Sequence, residues 1–116
     1  MPRANRIALL AVFLFAIAGP AQAASVVRGK QLAIEACAAC HQVTREQVAP
    51  PAVLDPDTQE RVVPPSFAAV SAKYRGNEAA MRAFIVSPTH PMREQRFLPR
   101  DLDDIVAYIL SLSATH

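Results

Sequence analysis

A chain of 116 residues, 52% apolar and 19% charged, holds material for one small domain with a thin hydrophobic core. Its formal charge of +2 is carried by Arg3 and Arg6 near the start, since the Lys and Arg beyond them only match the ten Asp and Glu. No basic run and no net positive field remain to attract phosphate, which excludes a nucleic-acid partner.

Arg3 and Arg6 precede the apolar run Ile7 to Ala18, and Gly19-Pro20 and Ala21-Gln22-Ala23-Ala24 follow it. Basic, apolar and A-x-A regions in this order predict a secretory signal peptide over residues 1–23, removed after Ala23, and export to the periplasm. A retained anchor is the alternative, but the run falls short of the roughly 20 residues that span a bilayer. The expected mature domain is residues 24–116, with no stable membrane insertion after cleavage.

Ser25 is placed to cap a helix that runs through Val26, Gly29, Leu32, Ala33 and Ala36 into Cys37-Ala38-Ala39-Cys40-His41. Cysteines three apart lie on one side of a helical turn, so both thiols reach one planar ligand from the same edge. Thioether bonds from Cys37 and Cys40 to two vinyl groups would fix a haem there, with His41 as its proximal iron ligand. The same pair in a dithiol redox site calls for strand-rich surroundings, which are absent. Zinc calls for further paired ligands that His90 and His116 do not supply. A disulfide across two residues closes almost no loop. Gly29, costly within a helix, would let another helix approach its backbone.

From Thr44 to Val63 the chain is polar and punctuated by Pro50, Pro51 and Pro56, and Pro64-Pro65 follow; this predicts an irregular surface loop. Asp55, Asp57 and Glu60 read as solvated acids, because no glycine-centred calcium loop surrounds them. Ser66 opens a short helix with Phe67, Val70 and Tyr74 on one face and Gly76 as its stop. Asn77 caps the next, whose Met81, Phe84 and Ile85 form an apolar stripe before Pro88. Ser87 to Pro99 is a stiff, proline-bound segment containing His90, Met92 and Phe97. The last helix, Arg100 to Ser113, sets Leu102, Ile105, Val106, Ile109 and Leu112 at helical spacing, with Asp101, Asp103 and Asp104 in its first turns. The fold class is all-α with long loops.

These pieces together resemble the class I c-type cytochromes, small single-haem domains, over nearly the whole predicted mature chain. The resemblance is carried by Cys37-Ala38-Ala39-Cys40-His41, Pro64-Pro65-Ser66-Phe67, Pro91-Met92 and the final Asp104-Ile105-Val106-Ala107-Tyr108-Ile109. It implies one covalently bound haem c, and first and last helices that cross with Gly29 against Tyr108. It also implies Met92 as second iron ligand and a backbone carbonyl of Pro65, or else Pro64, orienting His41. The chain departs from the pattern in its Pro64-Pro65 pair and its lack of tryptophan, which leaves the propionate contacts unassigned.

A thioether is a soft neutral ligand that favours Fe(II) relative to imidazole, so His/Met ligation raises the reduction potential. With both axial positions filled, the expectation is a one-electron carrier of a periplasmic or respiratory chain, not an enzyme. Met81, within a helix, and His90, beside Pro91, are rival sixth ligands. Two other functions stay open: a haem-bearing, electron-accepting subunit of a dehydrogenase or oxidase complex, and a ligand-binding haem protein with an open sixth position. Expected partners are redox proteins, donor and acceptor, met as a monomer or as a small subunit of a complex. Arg93 and Arg96, extended by Lys73, Arg75, Arg82 and Arg100, form a candidate cationic docking rim; pairing with Glu94 and the last helix's aspartates is the alternative.

Overall fold

The computed structural model describes residues 22–113. The predicted signal segment lies outside these residues up to Ala21. Among them the chain forms four helices and one two-stranded hairpin, so the all-α class holds.

Helix α1 spans Val26–Cys37 and begins where expected, the Ser25 hydroxyl accepting from the Arg28 amide at 3.2 Å. Helix α4, Pro99–Ser111, starts one residue before the predicted position because Pro99 suits a first helical turn that needs no amide donor. The pairing of α1 with α4 is the main helix contact of the fold. Gly29 makes it possible: a Cβ there would run into the backbone carbonyl of Asp104. The closest approach at Gly29 is therefore to the Asp104–Ile105 backbone.

The α4 acids do more than complement their own helix dipole. Asp104 is buried and accepts from the Ser25 amide at 2.7 Å and from Arg28 at 2.6 Å, and Arg28 also donates to Asp101 at 2.6 Å. A carboxylate of α4 thus satisfies an orphan amide at the start of α1.

Helix α2 spans Phe67–Lys73, with the Ser66 hydroxyl accepting from Ala69, and α3 spans Glu78–Val86, with Asn77 accepting from Ala80. Between them Gly76 adopts φ +75°, a left-handed conformation natural to glycine. Both helices pack on α4. Ala33, Val43, Phe67, Met81, Ile105, Val106, Tyr108 and Ile109 form the core.

The segment expected to be wholly irregular contains an antiparallel hairpin, β1 (Val53–Leu54) with β2 (Arg61–Val62). Asp55 organises its turn, which corrects the reading of this residue as a solvated acid. It is buried, and its side chain accepts from the amides of Asp57 at 2.8 Å and Thr58 at 3.3 Å. Its own amide donates to the Glu60 carbonyl at 2.8 Å. Asp57 and Glu60 are exposed.

Candidate cofactor site

The C-x-x-C-H motif occupies the turn in which α1 terminates. The amides of Cys40 and His41 both donate to the Cys37 carbonyl, at 3.2 Å and 2.9 Å, so Cys37 closes the helix while Cys40 projects beyond it. Both cysteines and His41 line one cleft of about 1210 Å³, above the usual size of a small-molecule pocket. Its walls are mainly apolar: Val53 and Leu54 of the hairpin, Phe67 and Val70 of α2, Met81 and Ile85 of α3, and Ile105 and Ile109 of α4.

His41 is oriented by its surroundings. The Phe67 amide donates to the Gln42 carbonyl at 2.9 Å, drawing the chain just after the motif against the start of α2. There His41 Nδ1–H donates to the Pro65 carbonyl at 2.7 Å. With that nitrogen occupied, the lone pair of the neutral ring resides on Nε2, the arrangement of a metal-ligating imidazole with a backbone partner behind it. The imidazole also packs against Phe67, ring centroids 5.6 Å apart, and Phe67 against Tyr108 at 6.4 Å.

Two glutamines that fix this geometry carry no recognisable motif. Gln47 Nε2 donates to the carbonyls of Ala38 and His41, both at 3.0 Å, while its Oε1 accepts from the Val43 amide at 2.8 Å. Tyr108 completes the support, its hydroxyl donating to the Val43 carbonyl at 2.7 Å. Gln95, from the proline-bound segment, donates to the Ala36 carbonyl at 3.2 Å and so ties that segment to the end of α1. A glutamine in a loop is an unremarkable surface residue until its backbone partners are known.

The methionine segment also lines the cleft. A turn in which the Met92 amide donates to the Thr89 carbonyl at 3.1 Å precedes the Gln95 anchor, and Met92, half-buried, lines the cleft. Met81 also touches the cleft but is 1% exposed and belongs to the core. His90 lines the cleft as well, with its Nδ1–H donated to Asp57 at 2.6 Å.

Burial raises the Cys37 thiol to about 11, reinforced by the charge of Cys40. A reactive dithiol needs the opposite shift, because the thiolate is its nucleophile. Two thiols at the mouth of a large apolar cleft, with an imidazole presented beside them, fit a flat apolar macrocycle held through sulfur. Of the expected cationic rim, Arg82 is spent on Glu78 at 2.9 Å and Asp103 at 2.6 Å. Arg93 and Arg96 are exposed, and Arg93 lines the cleft.

A sequence model of the cytochrome c family matches residues 26–113. Cytochrome c6 of Nostoc sp. (strain PCC 7120) is 30% identical over 101 residues, which cover 87% of this chain and 83% of that protein. No solved structure matches with comparable significance. The family match extends from the first residue of α1 through the helix that crosses it, taking in every wall of the cleft. The chain belongs to the cytochrome c family and carries one covalently bound haem c.

Proposed function

We propose that this electron carrier works in a periplasmic chain, residues 1–23 being its cleaved export signal, with Cys37 and Cys40 as haem attachment points and His41 and Met92 as axial ligands. The observation that carries the reading is the 2.7 Å bond from His41 Nδ1–H to the Pro65 carbonyl, which leaves Nε2 as the free donor in a residue of the cleft wall. The haem, when bound, supplies reversible one-electron Fe(III)/Fe(II) chemistry. Pro65 holds the imidazole in one tautomer and one orientation. Gln47 and Tyr108 hold the backbone on either side of it. Gln95 keeps the methionine segment on α1, so Met92 reaches the cleft from a stiff, anchored loop. The apolar walls exclude water, and two protein ligands leave no position for a substrate, as a carrier requires. No helix among the described residues is long and apolar enough to cross a membrane, which is compatible with a carrier free of the bilayer after export.

A second reading is favoured by one observation: His90 and Arg93 both line the cleft beside Met92, the polar pair that an open, ligand-binding sixth position would use. Visible spectra of the oxidised and reduced protein, with and without carbon monoxide, separate the two. The carrier reading expects low-spin iron that does not bind carbon monoxide in the native reduced state. Met92→Ala should open the sixth position to carbon monoxide and lower the potential. Met81→Ala should instead cost about 2–5 kcal/mol through a core cavity and leave the spectrum unchanged. A wild-type protein that binds carbon monoxide readily overturns the carrier reading.

A further inference from the structure

His90 and Met92 are separated by a single proline and line the same cleft, and an imidazole and a thioether are rival ligands for one axial position. A chain that offers both must decide between them. His90 is held: its Nδ1–H donates to Asp57 Oδ2 at 2.6 Å, between residues 33 apart in sequence. The two side chains are 59% and 68% exposed, so water screens the pair and it adds little to stability. Its effect is positional. Asp57 sits in the β1–β2 turn, which is fixed from within by the buried Asp55 and the bond from the Asp55 amide to the Glu60 carbonyl. Strand residues Val53, Leu54 and Val62 meanwhile pack into the cleft wall. The acceptor therefore stands on a platform joined to the site, and it holds the exposed imidazole to the hairpin. Met92 is the more buried of the two rivals.

We propose that Asp57 is a positioning residue that pins His90 to the hairpin and so reserves the sixth axial position for Met92. The proposal rests on the reading of Met92 as a ligand. Once released, His90 would be free to compete with Met92 for the sixth position of a bound haem, the neutral imidazole taking the place of the thioether with no change of oxidation state. The oxidised protein is the vulnerable one, because a thioether favours Fe(II) relative to imidazole.

The test uses the haem-loaded protein as wild type, Asp57→Ala, Asp57→Asn, and Asp57→Ala combined with His90→Ala. Two readouts are taken on each, the thioether-to-Fe(III) charge-transfer band and the midpoint potential. Asp57→Ala is expected to lose some or all of the band and to shift to lower potential. Asp57→Asn, which keeps an oxygen acceptor, should retain both properties, and the added His90→Ala should return both to wild-type values. An Asp57→Ala protein with an unchanged band and potential overturns the proposal, as does a loss that His90→Ala fails to reverse. A wild type without the band overturns the Met92 reading and this proposal together, whereas a wild type with the band confines any failure to Asp57.

Discussion

Gln47 shows how one side chain can set the geometry of a turn. Its amide group meets three backbone groups around the C-x-x-C-H turn, at Ala38, His41 and Val43. Removing one partner of a part-buried hydrogen bond leaves the other unsatisfied, which costs about 1–3 kcal/mol per group when water cannot replace it. Gln47→Ala is therefore expected to lower stability by about 1–3 kcal/mol in denaturant unfolding, with a larger loss than Gln31→Ala. Gln31 provides the contrast because its side chain donates to Glu35 on an exposed face at 3.4 Å. Equal effects from the two substitutions would remove Gln47 from its supporting role.

At the scale of elements, the α1–α4 pair is fixed by shape and by charge. Gly29 sets the separation, since a Cβ would collide with backbone that cannot rotate away as a side chain can. Asp104 sets the register: the Ser25 amide and then the Arg28 guanidinium hold its carboxyl below the usual carboxylate range. A carboxylate with a depressed folded value stabilises the fold above its unfolded value of about 4, and that contribution is lost as pH falls through the folded value. Asp104→Asn should accordingly lower Tm most near neutral pH. The gap from wild type should narrow as the solution is acidified below about pH 4. Thermal unfolding followed from neutral pH into acid checks this, and a gap of constant width would show that the Asp104 charge is not what clamps the helices.

For the molecule as a whole, the cleft lies between elements that otherwise touch sparingly. Helices α2 and α3 contact α4, while their other apolar side chains, among them Val70, Phe84 and Ile85, line the cleft. A small domain buries too little surface to spare a cavity of about 1210 Å³. Packing against a covalently held macrocycle replaces the missing core. Replacing Cys37 and Cys40 together with alanine should give a largely unfolded chain without covalent haem, measured by far-ultraviolet circular dichroism and cooperative denaturation. A haem-free variant that unfolds cooperatively at wild-type denaturant concentrations would refute this.

The four helices, their caps at Ser25, Ser66 and Asn77, and the C-x-x-C-H turn were determined locally, by apolar period, capping side chain and ligand spacing, so the sequence alone carried them. Met81, Ile105 and Ile109 likewise entered the core that their stripes predicted. Other features depend on partners far along the chain, and only the tertiary structure decided them. The carbonyl behind His41, which the resemblance left between Pro65 and Pro64, lies 24 residues away, the carboxylate that accepts from the Ser25 amide lies 79 residues from it, and the acceptor for His90 lies 33 residues back. Strands of two residues leave no period in the sequence, so the hairpin has no local signature, and its turn depends on a buried aspartate, a residue type ordinarily at the surface. A local pattern can specify an element because its energy is settled within a few residues. The meeting of two elements depends on the backbone path between them, which is settled only when the core packs.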